Sequence, residues 1–92
     1  MGRETILFTS KETRTRGEVA RFLSDLAQRV EAGQVVLRQG SDKVVLNLSE
    51  QVVLQLKSED EEKSRKGTQH SLKIEVKWYD APEGARGGVE LG

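Results

Sequence analysis

The stretch that decides the fold is TRGEVARFLSDLAQRVEAGQVVLRQGSDKVVLNL, residues 15–48, because its hydrophobic period changes at Gly33. Before this glycine the apolar residues recur at intervals of three and four, as in an amphipathic helix, and they are Val19, Phe22, Leu23, Leu26 and Val30. Thr15 and Glu18 have the spacing of a capping box, which marks the start of a helix. Glycine often ends a helix in the left-handed conformation. The sequence therefore predicts a helix between Thr15 and Gly33.

After Gly33 the pattern alternates, which is typical of strands. Two apolar runs, at residues 35–39 and 44–48, flank a turn-forming GSDK segment, and this arrangement indicates a hairpin. A two-residue loop at Gly40-Ser41 or at Ser41-Asp42 places the alternate apolar residues on one face; these are Val35, Leu37, Val44, Leu46 and Leu48. A three-residue loop would turn one strand's apolar set outward unless a bulge intervened.

The second half of the chain predicts two further strands. Residues 52–58 continue the same apolar face after a loop at residues 49–51, with Val52, Leu54 and Leu56. The segment at residues 59–67, EDEEKSRKG, is too polar for a core and is expected to form a mobile loop. The last strand alternates most clearly, and its apolar face carries Leu72, Ile74, Val76 and Trp78.

The ends of the chain are less regular. The β-prone run at residues 5–9, TILFT, predicts a first strand ahead of the helix. From Asp80 onward the sequence is glycine-rich and contains the single proline, so residues 80–92 are expected to be a disordered tail.

These elements predict an α+β fold with two layers. One amphipathic helix packs on an antiparallel sheet of four to five strands, in the order β-α-β-β-β-β, and residues 1–79 form a single domain. A domain of this size buries only about 60% of the surface of its unfolded chain, which leaves oligomerisation open. The expected core is Phe8, Val19, Phe22, Leu23, Leu26, Val30, Leu37, Leu46, Leu54, Leu72, Ile74, Val76 and Trp78.

Composition excludes several classes of function. Fifteen basic and fifteen acidic residues give a net charge of zero, which argues against a globally steered nucleic-acid partner. No cysteine is present, so disulfides, thiolate catalysis and cysteine-bound metals are excluded. The N-terminus has no signal-peptide pattern, and no apolar run approaches the length of a membrane span. We therefore expect a soluble, cytoplasmic domain without a cofactor or a membrane partner.

The residues resemble those of the amphi-Trp domain family. The resemblance covers residues 6–78 and rests on the 15–48 stretch, the QVVLQLKSE run, a charged gap, and SLKIEVKW with Trp78 at the end of the amphipathic last strand. It implies a small, stand-alone prokaryotic domain of unknown function. It implies no catalytic or binding residues that can be transferred to this chain.

Three features suggest chemistry at first sight. Trp78 has the geometry of a stacking platform, but its phase in the strand favours a place in the core. His70 is the single histidine and has no cysteine or second histidine as a metal partner, which favours a surface role. The segment GARGG at residues 84–88 lacks the strand-to-helix context of a phosphate loop and fits a disordered tail better. We expect no catalytic residue, no metal ligand and no enzyme activity.

The face of the sheet opposite the helix is the best candidate for a binding surface. By parity it carries Val36, Arg38, Val45, Val53, Lys57, Lys73, Lys77 and Tyr79, with four basic residues against one acidic residue, Glu75. Mixed apolar and basic surfaces of this kind suit a protein partner or a second copy in a homodimer, although solvated lysines over scattered valines give the same pattern. The alternative is weak, sequence-independent nucleic-acid binding through these cations together with Lys11, Arg14 and Arg16.

Overall fold

The computed structural model describes residues 2–80 and contains, within that range, one helix and four strands. The elements are α1 (Arg16–Ala32), β1 (Gln34–Gln39), β2 (Asp42–Asn47), β3 (Val53–Lys63) and β4 (Gly67–Lys77). They form two compact units that divide after Leu48: α1 with the β1–β2 hairpin, and the β3–β4 hairpin. Of the predicted disordered tail at residues 80–92, residues 81–92, including the GARGG segment, lie outside the described residues.

Helix α1 begins and ends where the sequence predicts. The Thr15 hydroxyl accepts a hydrogen bond from the Glu18 amide at 3.1 Å, and the Thr15 amide donates to the Glu18 carboxylate at 3.0 Å. Two of the free amides at the helix start are thereby satisfied. At the other end Gly33 has a φ of 91°, and its amide donates to the carbonyls of Arg29 and Val30. This left-handed cap turns the chain directly into β1.

The β1–β2 hairpin confirms the two-residue loop at Gly40-Ser41. Gln39 pairs with Asp42, which leaves Gly40 and Ser41 as the loop. Gly40 has a φ of 60°, and Ser41 does not have a positive φ. This combination matches a type II′ turn. The register places Val35 opposite Leu46 and Leu37 opposite Val44. The apolar set therefore lies on one face, as the parity of the sequence requires.

The β3–β4 hairpin is longer than the sequence predicts. Each strand has eleven residues, and the ladder runs from Val53↔Lys77 to Lys63↔Gly67. The predicted mobile loop at residues 59–67 is therefore wrong for most of its length, because residues 59–63 pair with residues 67–71. Only residues 64–66 form a turn, and Gly67 closes it with a φ of 82°.

The sheet also differs from the prediction. The α+β class is confirmed, but the four strands form two antiparallel sheets of two strands each, instead of one sheet of four to five. Residues 5–9 form no strand; the side chains of Ile6 and Leu7 are 80% and 65% exposed. A β-prone run becomes a strand only when it pairs with a neighbour, and no described strand pairs with this one.

The core within residues 2–80 is small. Val35 is the one buried apolar residue, and it faces α1 from β1. Half-buried residues surround it or lie at the ends of the hairpins: Phe8, Leu26, Val30, Leu37, Leu46, Val76 and Trp78. The other members of the expected core are exposed instead: Val19, Phe22, Leu23, Leu54, Leu72 and Ile74. A two-stranded hairpin has no second layer of its own, and α1 covers only part of the β1–β2 hairpin.

Val35→Ala should destabilise the unit of α1, β1 and β2 by about 2 kcal/mol, because it removes two buried methyl groups and leaves a cavity. The matched control is Val45→Ala, in which the same groups are lost from a side chain that is 44% exposed on the other face. Urea unfolding followed by helical circular dichroism measures both. Equal losses in the two variants would contradict the role of Val35.

The capping box should make stability depend on pH. The pKa of Glu18 is lowered, chiefly by the hydrogen bond from the Thr15 amide. A lowered pKa means that the stabilisation is present above about pH 4.3, the ordinary value for glutamate, and is lost as the pH falls through the lower folded value. Glu18→Gln should therefore have a lower urea midpoint than the wild type at pH 7. At low pH, where Glu18 is protonated, the two midpoints should converge. A difference in midpoint between Glu18→Gln and the wild type that stays constant as the pH falls would contradict this role of the carboxylate.

Candidate interaction surface

The β3–β4 hairpin has one strongly apolar face over its first half. Leu54 lies opposite Val76 and Leu56 opposite Ile74, and Leu72 follows on the same face. Four of these side chains are more than half exposed: Leu54 at 63%, Leu56 at 61%, Leu72 at 69% and Ile74 at 54%. Contiguous exposed apolar residues of this kind mark interaction sites on proteins. We call these five residues, with Trp78, the apolar face.

The sequence alternation continues into Trp78 just after β4. Trp78 is half-buried, and with Val76, Lys77 and Tyr79 it lines a shallow, open pocket of about 370 Å³. Its phase follows that of Leu72, Ile74 and Val76, as the sequence predicts. Tyr79, the next residue, is 75% exposed.

The opposite face of the hairpin is polar and carries compensated charges. Glu59 contacts both Lys57 and Lys73, with carboxylate to ammonium distances of 3.4 and 3.3 Å. These lysines lie directly opposite each other, and the shared carboxylate offsets their repulsion. Lys63–Glu61 at 3.4 Å and Lys77–Glu75 at 3.7 Å complete the set. The pairs are all well exposed, so they compensate charge more than they stabilise the hairpin.

The extension of β3 therefore changes the charge of the predicted binding surface. The predicted balance of four basic residues to one acidic residue leaves out Glu59, Glu61 and Lys63, because the sequence places them in a loop. On this hairpin each of Lys57, Lys73 and Lys77 lies within 4.0 Å of a glutamate carboxylate. Before the helix, Arg14 is compensated in the same way, because the Glu12 carboxylate accepts its hydrogen bond at 2.6 Å and raises its pKa.

The predicted binding residues fall in both units. In the β1–β2 hairpin, Val36 pairs with Val45, and Arg38 lies opposite Lys43. In the β3–β4 hairpin, Val53 lies opposite Lys77, while Lys57 and Lys73 pair as described above. Tyr79 follows β4. The predicted binding residues are therefore divided between the two hairpins.

Acidic residues limit the apolar face at its far end. Beyond Leu72 the same face carries Asp60, Glu62 and His70. The His70 Nδ1 lies 2.7 Å from the Asp60 carboxylate across the two strands, and both side chains are largely exposed. Within residues 2–80 no cluster of three histidine, cysteine or acidic side chains has the geometry to hold a metal ion. His70 thus takes part in a surface pair.

A groove lies between α1 and the first strand of its own unit. It has a volume of about 630 Å³, and Phe8 lines it together with Phe22 and Leu26. Charged side chains of both signs surround its rim, among them Asp25, Arg29 and Arg38. The β-prone N-terminal run therefore contacts the unit through one aromatic side chain instead of a strand pairing.

The main feature that sequence reasoning missed is the outer half of the β3–β4 hairpin. Its signal is present in SRKG at residues 64–67, a three-residue turn followed by the glycine that such hairpin loops favour. The uninterrupted charges of residues 59–63 concealed it, since strand residues that face water on both sides need no apolar alternation.

No helix within residues 2–80 combines the length and the hydrophobicity that a membrane crossing requires. The sequence model of the Amphi-Trp domain matches residues 1–92, the whole chain. No curated protein and no solved structure matches the chain.

Gly67→Ala should destabilise the hairpin by about 1–2 kcal/mol, because a φ of 82° brings a Cβ too close to the following carbonyl. The matched control is Gly17→Ala in the first turn of α1, where an added Cβ meets only Arg21 Nη1 at 3.8 Å. The control should be neutral or stabilising. Amide hydrogen exchange of residues 59–71 measures the effect, and unchanged protection in Gly67→Ala would contradict the turn geometry.

Proposed function

Since this chain belongs to the Amphi-Trp domain family, and no matched relative supplies site residues, we propose a function from its surface: it is a non-enzymatic self-association module. In this proposal the apolar face of the β3–β4 hairpin binds a second copy of the chain. One observation carries the proposal, namely that four large aliphatic side chains on this face are each more than half exposed.

An isolated two-stranded hairpin is only marginally stable in water, and it becomes stable when a further layer covers its apolar face. Eleven cross-strand pairs give this hairpin unusual length, but its outer pairs are polar and add little burial. Binding at the apolar half supplies the missing layer.

The energies are sufficient when two copies are buried together. Covering a side chain that is half to two thirds exposed contributes about 1–2 kcal/mol, so four such residues contribute roughly 4–8 kcal/mol per copy. A twofold dimer buries the set on each copy and gains roughly twice that amount. Association costs about 4–15 kcal/mol in lost freedom of motion. The burial energy of two faces can therefore exceed the cost of association, whereas the burial energy of one face only approaches it.

The charge pattern favours a protein partner over a nucleic acid. The lysines of the polar face are each paired with a glutamate, so they offer few uncompensated cations to a phosphate backbone. The apolar face carries acidic residues at its far end, which repel phosphate. For these reasons the nucleic-acid alternative gains no support from the hairpin.

Leu56→Glu should dissociate the assembly, because it places a carboxylate in the centre of the apolar face. Light scattering across a dilution series should give twice the chain mass for the wild type and the chain mass for the variant. Trp78, the single tryptophan, provides a second signal, since its emission should shift to the red when dilution exposes it to water.

The matched control is Val53→Glu on the polar face of the same strand, where the native side chain is 53% exposed and lies opposite Lys77. This variant should remain a dimer. A wild type that is monomeric at every concentration rejects the proposal. Dissociation by Val53→Glu but not by Leu56→Glu also rejects it, and would assign binding to the polar face instead.

A further inference from the structure

Helix α1 has an apolar stripe that is only partly covered. Leu26 and Val30, in its second half, are half-buried on the side that packs on β1. In the first half, Val19 is 44% exposed, Phe22 57% and Leu23 43%. The described residues therefore leave a second apolar surface open, formed by Val19, Phe22 and Leu23, which we call the helix stripe.

We infer that the helix stripe of one copy covers the apolar face of the β3–β4 hairpin of the other copy. This inference rests on the proposed self-association and names the surface that the second copy contributes. A helix over a sheet is one of the few layer arrangements that bury an apolar face of each kind. A helix is about 10 Å wide with its side chains, and two neighbouring strands lie about 4.8 Å apart, so one helix spans one hairpin.

Charge favours this pairing over a parallel contact between two copies of the apolar face. Asp60 and Glu62 lie at the far end of the apolar face, and two such faces aligned in parallel would bring their carboxylates together. The segment at residues 11–18, just before and at the start of α1, has a net charge of +1, from Lys11, Arg14 and Arg16 against Glu12 and Glu18. A helix stripe that approaches with its N-terminal end toward the acidic residues brings opposite charges together.

The pairing also closes on itself. Each copy has one helix stripe and one apolar face, so a twofold axis produces two identical contacts and leaves neither surface open. With this twofold axis, the assembly ends at a dimer. In a dimer of one variant, a substitution in either surface occurs in both contacts and must weaken both.

Two variants and their mixture test the inference. Phe22→Lys damages the helix stripe and Leu56→Glu damages the apolar face, and each alone should shift the chain from dimer to monomer in light scattering. In a mixture, one contact of the mixed dimer is wild type and the other pairs Lys with Glu. The mixture should therefore recover dimer that neither variant forms alone, and a different tag on each chain should show that the recovered dimer contains both.

The outcomes separate this inference from the function on which it rests. A monomeric wild type rejects the proposed function and the inference together. A dimeric wild type with a dimeric Phe22→Lys variant, or a mixture without recovery, rejects the inference alone. Gln28→Lys, an exposed position elsewhere on the same helix, is the matched control and should remain a dimer. Circular dichroism checks the helix, and Val19→Lys replaces Phe22→Lys if that variant loses it.

Discussion

The unit of α1, β1 and β2 depends on the contact between α1 and β1, where Val35 is buried. Three local devices bring it about: the capping box that starts the helix, the left-handed Gly33 that ends it, and the turn at Gly40 that sets the register of β2. The Leu48 amide donates to the Gly33 carbonyl at 2.9 Å, which continues the hydrogen bonding between the two strands up to the helix cap. These devices place the helix on its own hairpin with very little chain between the two.

The sequence was a good guide wherever a short-range rule sufficed. The helix, its two caps, the two-residue loop and the phase of each apolar set follow from spacing and parity, and each agrees with the structure. The resemblance to the amphi-Trp family, carried by the order of the elements and the terminal Trp78, is confirmed by the match along the whole chain. Local patterns succeed because one residue's neighbours along the chain decide them.

Long-range pairing was harder to predict. A single sheet requires strands from both halves of the chain to pair, and no local pattern specifies which edges meet. The charged residues from Glu59 to Lys63 show a second difficulty, since their pairing with residues 67–71 depends on Gly67 and the preceding turn. The charge of the candidate surface depends on the same pairing. Once Glu59 and Glu61 belong to the strand, the lysines of the polar face are compensated, and the uncovered apolar face becomes the more informative one.

The acidic half of the hairpin has a consequence for aggregation. Long hairpins with open edges are templates for the addition of further strands, and an apolar face on such a hairpin raises the risk of fibre growth. Here the side chains of residues 59–63 carry charge on both faces of β3, next to the apolar residues instead of among them. An added strand would meet rows of like charges as it extended outward from the apolar half. The same residues that conceal the strand in the sequence thereby protect the hairpin against uncontrolled growth.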